Sequence, residues 1–266
     1  MYIKTTMKKL LTLFSYCVML SSFAFAQKLE VTYQEVTNVN IDEFKNSAKV
    51  EVNGSSSTIP KEVYDNMIKS MQEPKEYLLK IYDNETNYKK VEKIDNQQTN
   101  GMKISVSFGG SGNDLYKNMT TKEYSRSVNL MNKSYVIKDQ LTNYNWILSR
   151  ETKKFNGFDV KKATATVDST KIITAWYAPS IAVKDGPGMY NGLPGLILEL
   201  EIKDSKNKSI ESIKINAIEV KEVPTMKPFD QPKEKNVISE KEYKDLLKKQ
   251  SEHFKQMSSQ GINKKD

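Results

Sequence analysis

Short segments in which apolar and polar residues alternate recur about every ten to fifteen residues, and this pattern constrains the fold more than any other feature. Alternation with a period of two is typical of β-strands that have one buried face. Asn, Asp and Gly separate the segments, and a strand follows a strand without a helical crossover, which favours antiparallel pairing. The sequence therefore predicts a mainly β, α+β fold, in which a curved antiparallel meander packs on one amphipathic helix and a second helix follows at the C-terminus.

The alternation is clearest in residues 196–202, where Leu196, Leu198, Leu200 and Ile202 share one face. The glycine-rich segment 109–113 has neither the following Lys-Ser/Thr nor the helix start of a phosphate-binding loop, so it is interpreted as a turn. The predicted strands cover residues 29–36, 48–52, 77–82, 88–94, 102–108, 123–128, 133–140, 146–150, 159–167, 171–177, 196–202 and 210–220.

The amphipathic helix is predicted over residues 60–72. Pro60 suits the first helical position, where a missing N–H costs nothing. Val63, Met67 and Met71 then follow at a spacing of four, which puts them on one side of a helix. We expect this side to lie against the sheet.

The C-terminal part has a different composition. Residues 223–238 contain three prolines, which break both helices and strands, so this segment is predicted to be a linker. Ser239 and Glu242 have the spacing of a capping box, in which each residue satisfies a backbone N–H of the other. A charged helix is therefore predicted from 239 to 258, within a C-terminal helix and tail that extends over 239–266.

The first 26 residues have the order of charged, apolar and small regions that defines a secretory signal peptide. The apolar run 10–25 is shorter than the ~20 residues needed to span a bilayer, and it ends in the small-x-small sequence 24–26. We expect cleavage after Ala26 and export to the periplasm, the cell envelope or the extracellular space. The mature chain is then expected to have no transmembrane segment, and residues 27–222 are expected to form a single β-rich domain.

Cysteine and histidine counts exclude several kinds of site. The chain contains one Cys and one His. Cys17 lies in the signal peptide, so disulfide scaffolds and Cys/His zinc sites are excluded, and no metal or cofactor is expected. His253 lies on the predicted terminal helix, without a Ser or Cys at a telling spacing.

The formal net charge of +8 comes almost entirely from lysines that are scattered along the chain. Nucleic-acid-binding proteins instead concentrate Lys and Arg on one face, often beside stacking aromatic residues. The chain has only two Arg, Arg126 and Arg150, so bidentate recognition of bases or phosphates is poorly supplied. The pattern therefore argues against nucleic-acid binding.

Sequence motifs of enzymes are absent: there is no GxSxG, HExxH, Walker loop or dinucleotide fingerprint. This favours a protein that is not an enzyme. Catalysis by a pair of carboxylates stays open, because several acidic residues could converge in space. These residues are Asp159, Asp168, Asp185, Glu199 and Glu201.

Prolines and glycines are concentrated between the predicted strands 171–177 and 196–202. Pro187-Gly188 and Pro194-Gly195 each suit the central positions of a type II turn, where Gly accepts a positive φ. Asp185-Gly186 supplies a further bend. We therefore expect residues 178–195 to form a well-ordered loop that connects two adjacent strands.

Three short sequences in this region stand in a fixed order. They are Ala175-Trp176-Tyr177-Ala178-Pro179, then Asp185-Gly186-Pro187, then Gly192-Leu193-Pro194-Gly195-Leu196-Ile197. In this order they resemble the GLPGLI family of exported Bacteroidota proteins, and the similarity is clear over residues 140–215. The resemblance implies a small exported protein of unknown activity. It also implies an association with TonB-dependent outer-membrane uptake systems, so an outer-membrane or other envelope protein is the expected partner.

The loop and the strand before it supply the candidate binding residues. An ordered loop could present Trp176, Tyr177 and Tyr190 as a recognition surface together with Asp185. In the alternative interpretation the two aromatic residues of the strand are ordinary packing residues, and the turns only close the meander. The residues that build the turn motif are Pro187, Gly192, Leu193, Pro194, Gly195, Leu196 and Ile197.

Two classes of function follow from these observations. The first is an exported protein that binds a partner or ligand without catalysis. Within this class, the sheet could also enclose an apolar cavity for a carried ligand, with helix 60–72 as its lid. The second is a hydrolase that acts on glycans or peptides through carboxylates, which would require two acidic side chains about 5–10 Å apart in a cleft.

Overall fold

A computed structural model describes residues 28–47, 49–52, 55–58, 60–92, 114–130, 133–232 and 235–261. The helices are α1 (Ile41–Ser47), α2 (Lys61–Gln72) and α3 (Glu240–Gly261). The strands are β1 (Lys28–Val39), β2 (Lys49–Val52), β3 (Ser55–Thr58), β4 (Lys75–Tyr82), β5 (Glu85–Lys90), β6 (Leu115–Asn118), β7 (Glu123–Leu130), β8 (Lys133–Gln140), β9 (Ile147–Phe155), β10 (Phe158–Val167), β11 (Lys171–Ala178), β12 (Leu196–Asp204), β13 (Ile210–Glu222) and β14 (Val237–Ile238).

Twelve of the described strands form one open sheet in the order β14-β8-β7-β6-β5-β4-β1-β13-β12-β11-β10-β9. Neighbouring strands pair antiparallel, except that β14 pairs parallel with β8. Strands β2 and β3 form a separate hairpin. The predicted fold class, a mainly β antiparallel sheet with an amphipathic helix and a C-terminal helix, is confirmed.

Strand β1 runs through the middle of the sheet and shows how the alternation selects a buried face. Every second residue is buried, and Val31 and Tyr33 have no exposed surface. The same face of the neighbouring strands carries Leu79 and Ile215, which are also fully buried. We call this the inner face. It carries the core, because burial of apolar surface is the main stabilising contribution in folding.

The predicted helix is present as α2, but a different side of it is buried. Tyr64 and Ile68 lie in the core, whereas Val63 is 48% exposed and Met67 is only partly buried. The expected stripe is therefore displaced by one residue, since the aromatic ring of Tyr64 buries more area than the valine. The Tyr64 hydroxyl also donates a hydrogen bond to the carbonyl of Ile41, 2.9 Å away.

Four strand assignments differ from the sequence prediction. The short strands β3, β6 and β14 were not predicted, and β5 begins at Glu85 rather than at residue 88. Strand β14 lies at the end of the segment 223–238, which was predicted to be a linker. The predicted strand 102–108, the turn 109–113 and the signal peptide 1–26 lie outside the described residues. The other predicted strands are present, with bounds that differ by a few residues.

The capping box that begins the C-terminal helix is confirmed. The Ser239 N–H donates to Glu242 Oε2 at 2.7 Å, and the Glu242 N–H donates to Ser239 Oγ at 3.2 Å. Glu240 of the first turn accepts hydrogen bonds from Arg126 at 2.8 Å and from Tyr124 at 2.9 Å, which attaches the helix to β7. Among the described residues, no helix has the length and apolar character needed to cross a membrane.

Candidate functional site

The proline- and glycine-rich loop connects two strands that pair directly. Trp176 of β11 lies opposite Glu199 of β12, and Ala178 lies opposite Leu196. The two segments are therefore adjacent antiparallel strands, as the sequence predicts. The loop between them, residues 179–195, is irregular in secondary structure but has a dense set of backbone hydrogen bonds.

These hydrogen bonds fasten the loop to the start of β12. The N–H of Leu196 donates to the carbonyl of Ile181 at 3.1 Å, and the N–H of Ile197 donates to the carbonyl of Asp185 at 3.0 Å. Within the loop, the N–H of Gly192 donates to the carbonyl of Lys184 at 2.9 Å. A loop fixed at three such points has little conformational freedom left.

The turns themselves differ from the predicted type II geometry. A hydrogen bond from the Tyr190 N–H to the Pro187 carbonyl, 3.2 Å long, puts Gly188 and Met189 at the central positions of the turn. The N–H of Gly195 donates to the carbonyl of Leu193 at 2.8 Å, which closes a three-residue γ-turn around the proline between them. Proline and glycine still determine where the chain turns. The turn at Pro187 is shifted by one residue, and the turn at Pro194 is tighter than predicted.

Two glycines are required by close approach of the chain. A Cβ atom on Gly195 would lie 2.3 Å from the carbonyl oxygen of Ala178, and its φ of +154° already disfavours other residues. A Cβ atom on Gly186 would lie 2.7 Å from Cβ of Ile197. The loop therefore packs directly against the end of β11 and the start of β12.

A buried ion pair holds the loop across the inner face. Lys117 of β6 and Asp185 of the loop have fully buried side chains, and Nζ lies 2.6 Å from Oδ1. In the sheet order, four strands separate β6 from β12, so the sheet must curl for these residues to meet. The ion pair thus ties two distant parts of the sheet together through the loop.

Lys117 Nζ has two further acceptors in the loop. It donates hydrogen bonds to the carbonyl of Gly188 at 2.6 Å and to that of Gly186 at 3.2 Å. Three acceptors match the three protons of an ammonium group. Burial lowers the pKa of Lys117 from its ordinary value, and the adjacent Asp185 opposes this shift. The alternation signal could have found this lysine, because Leu115 and Lys117 share a face, but β6 is too short for a reliable strand prediction.

Tyr33 completes the contact from the centre of the sheet. Its hydroxyl donates a hydrogen bond to the carbonyl of Ile197 at 2.6 Å. Burial raises the pKa of Tyr33 well above its ordinary value, and the charge of Asp185 adds to the shift. The phenol therefore stays protonated and serves as a donor to the chain segment that follows the loop.

An aromatic cluster covers the other side of the loop. The ring of Tyr144 lies 5.3 Å from that of Tyr190 and 5.5 Å from that of Trp146. The Trp146 indole N–H donates to the carbonyl of Asn191 at 2.8 Å. Burial raises the pKa of Tyr144 to about 12. These rings seal the loop between the sheet and the segment that precedes β9.

The four candidate binding residues do not form one exposed surface. Asp185 has no exposed surface, Tyr177 is 3% exposed and Tyr190 is 9% exposed. Asp185 and Tyr190 are buried because the loop folds back onto the inner face instead of projecting into solvent, and Tyr177 is buried as a residue of β11. The interpretation of these three residues as an exposed recognition surface is therefore not supported by their positions.

Trp176 is the exception, because it is only partly buried and lies on the face of β11 opposite to the buried Ala175. Lys153 Nζ lies 4.3 Å from the centre of its ring and 2.5 Å from Oε2 of Glu199. The same ammonium group lies 5.6 Å from the centre of the Phe155 ring, and Phe155 and Trp176 are both partly buried and packed against the core. We call Lys153, Phe155, Trp176 and Glu199 the Trp176 patch.

Of the acidic residues considered for catalysis, Glu199 and Glu201 share one face of β12 and the other three lie on other elements. Four of the five have their own lysine: Asp185 with Lys117, Glu199 with Lys153, Asp159 with Lys154, and Glu201 with Lys203 and Lys214. The fifth, Asp168, lies exposed in the turn between β10 and β11. In the described part of the chain, no three Asp, Glu, His or Cys side chains come together as metal ligands. His253 is exposed on α3.

Comparison with protein families gives one match. The model of a family described as a protein of unknown function, Porph_ging, matches residues 166–199. This segment contains the whole of β11, the whole loop and the first four residues of β12. No curated protein matches the chain.

Comparison with solved structures shows a related fold. PNGF-II in a C2 crystal form is 21% identical with a TM-score of 0.51, and the match covers 84% of this chain and 33% of that one. PNGF-II in a P21 form is 23% identical with a TM-score of 0.48, over 83% and 33% of the two chains. An uncharacterised conserved protein from Thermus thermophilus is 10% identical with a TM-score of 0.39, over 81% and 91%. The chain thus spans about a third of the length of PNGF-II, and the similarity concerns the fold alone.

Proposed function

We propose that the chain is an exported cell-envelope protein of the GLPGLI type, and that it binds a partner without catalysing a reaction. The signal-peptide pattern of residues 1–26 and the ordered block from Ala175 to Ile197 support export and this family. An envelope protein, such as a component of an outer-membrane uptake system, is the proposed partner. The proposed site is the Trp176 patch.

The position of Trp176 is the main observation in support of the proposed binding site. Of the four candidate residues it alone keeps a partly exposed side chain on the outer face, and it lies beside an ammonium group and a carboxylate. Trp is enriched among the residues that contribute most to protein interfaces, and charged neighbours supply orientation. The other three candidates are buried in the core.

Two alternatives have less support. A hydrolase would need two free acidic groups in one cleft. Glu199 and Glu201 share a face of β12, but both are paired with lysines, and Asp185 is paired with Lys117 in the core. A carrier of apolar ligands would need space on the inner face, where Tyr33, Tyr77 and Leu193 are packed with almost no exposed surface. Binding through the Trp176 patch requires neither a pair of free acidic groups nor space on the inner face.

The test is a pull-down from the native envelope fraction with the mature chain, Trp176→Ala and the matched control Ile172→Ala. Ile172 lies on the same strand and face and is 53% exposed, so its replacement removes a comparable apolar surface outside the patch. We expect one specific partner, recovered with wild type and with the control, and at least tenfold weaker with Trp176→Ala. Circular dichroism must show that both variants are folded.

Equal recovery of every partner by folded Trp176→Ala and by wild type would overturn the assigned patch. Reproducible glycan or peptide hydrolysis by the mature chain, lost in Glu199→Gln, would overturn the non-enzymatic function. N-terminal sequencing of the exported protein checks the cleavage site, since the proposal requires Gln27 as the first residue.

A further inference from the structure

A second acidic side chain is buried in the inner face, and neither of its oxygens has a hydrogen-bond donor. Glu35 of β1 is 1% exposed, and both carboxylate oxygens lie without such a partner. A buried ionised carboxylate without compensation is so costly that such groups take up a proton instead. The burial of Glu35 therefore needs an explanation other than a salt bridge.

The position of Glu35 follows from the register of the sheet. It occupies an inner-face position in the alternation of β1, two residues after Tyr33. On its two sides lie Ile215 of β13 and Lys75 of β4. Because the next residues of this face are Thr37 and Val39, which are also buried, the carboxyl group cannot reach solvent along the strand.

The charged and titratable groups around Glu35 come from several elements. Lys75 of β4 and Lys90 of β5 act on it as positive charges, and both lower its pKa less than burial raises it. Tyr88 of β5 and Tyr190 of the loop are close enough for Glu35 to raise their pKa values. Two further phenols, Tyr77 on β4 and Tyr64 on α2, are buried on elements that pack against β1, and the adjoining position of β13 is apolar.

We propose that the folded protein holds Glu35 as the uncharged carboxylic acid, and that loss of this proton at higher pH destabilises the sheet around β1. The fold thereby contains a pH-sensitive element that is independent of the Trp176 patch. The charges of Lys75 and Lys90 favour the ionised form, but neither lysine makes a hydrogen bond to the carboxylate, and burial has the larger effect.

The sign of the effect follows from the proton balance. The folded state binds the proton more tightly than the unfolded chain, so the unfolding equilibrium constant increases as the pH rises above the ordinary value of 4.5 for this carboxyl. One proton changes that constant by at most about tenfold per pH unit, and the dependence ends above the pKa of the folded state. The contribution of Glu35 to stability is therefore greatest on the acidic side of this window.

The test combines two measurements on the folded protein. Carboxyl carbons of labelled Glu are titrated by NMR from about pH 5 to about pH 8, and urea unfolding is measured over the same range. We expect Glu35 to titrate above the other glutamates, and Glu35→Gln to remove its part of the pH dependence. The matched control is Glu30→Gln, on the same strand but paired with Lys80 at 3.2 Å and partly exposed.

The control variant should keep the wild-type pH profile, because its carboxylate faces solvent and a lysine rather than the core. Two results would overturn the proposal. One is a Glu35 carbon that shows the ionised form over the whole range, a result that does not depend on any variant folding. The other is an identical pH dependence of unfolding in wild type, Glu30→Gln and Glu35→Gln.

Discussion

Asp185 and Glu35 are two acids buried in the same core, and the protein accommodates them in different ways. Asp185 lies against Lys117 at 2.6 Å, and the same ammonium group also binds two carbonyls of the loop. Glu35 has no hydrogen-bond donor at either oxygen. The first acid is compensated by an opposite charge and the second, in our proposal, by a proton.

The difference follows from where each acid lies in the chain. Asp185 belongs to an irregular loop, which can bend until its carbonyls and carboxylate surround one ammonium group. Glu35 belongs to a regular strand, where the register fixes its neighbours and leaves no freedom to find a donor. An acidic residue in a loop can therefore move until it pairs with an ammonium group, whereas an acidic residue in a strand has only the neighbours that the register gives it.

The largest expected effect is that of Asp185→Ala. Lys117 then becomes a buried ammonium group without its counter-ion, and breaking such a pair costs about 3–5 kcal/mol. We expect the urea midpoint to fall accordingly, with an unchanged m-value if unfolding stays two-state. Urea unfolding of the wild type and of Asp185→Ala at neutral pH measures this loss in the free energy of unfolding.

The double variant Lys117→Met, Asp185→Leu sharpens the interpretation. Replacing both partners of a buried ion pair with apolar residues is often neutral or stabilising. We expect it to recover most of the stability that Asp185→Ala loses. Equal losses in both variants would mean that the size and shape of the two side chains, not their charges, hold the loop.

Gly195→Ala is expected to have the next largest effect on stability. The new methyl group would meet the carbonyl of Ala178 at 2.3 Å, in a backbone conformation that alanine disfavours. Overpacking of this kind costs about 1–3 kcal/mol. Gly157→Ala is the control for backbone conformation alone, because its φ is +83° but no atom lies within 4 Å of the new methyl. A smaller loss of thermal stability in the control than in Gly195→Ala would confirm the close approach.

Lys75→Met tests the proposed protonation of Glu35 by removing a neighbouring positive charge. Lys75 lowers the pKa of Glu35, so its removal should raise that pKa further. The pH range in which unfolding releases this proton should then extend upward, as seen in urea unfolding at several pH values. Lys80→Met, on the same strand but paired with Glu30, should leave the profile unchanged. An upward shift in both variants would show a general charge effect.

The smallest expected effect is that of Ser239→Ala. Loss of the N-cap hydroxyl costs about 1 kcal/mol of helix stability. The hydrogen bonds from Ser239 lower the pKa of Glu242, so this contribution is present above the ordinary pKa of 4.5 and is lost as the pH falls through the lowered one. Amide exchange should increase in the first turn of α3, while exchange in the loop stays unchanged. Faster exchange in the loop would connect two regions that our account separates.

Most strands could be predicted from the sequence because alternation is a local property. The presence of turns in the loop could be predicted because Pro and Gly act locally on the backbone, but the geometry of these turns could not. Lys117 was not predicted as the partner of Asp185. The two residues are brought together by the curl of a sheet in which four strands separate β6 from β12, and β6 has only four residues. The buried side of α2 carries Tyr64 and Ile68 rather than Val63 and Met67, because the ring of Tyr64 buries more apolar area than the valine side chain does.

The central claim is that residues 179–195 are a fixed part of the core, held across the inner face by Lys117 and Asp185. Native-state hydrogen exchange of the Gly192 and Ile197 amides tests it most directly, since both donate to carbonyls of the loop. We predict that these amides exchange as slowly as those in the centre of β11, and that Asp185→Ala accelerates them more than it accelerates β11. Rapid exchange of both amides in the wild-type protein would contradict the account.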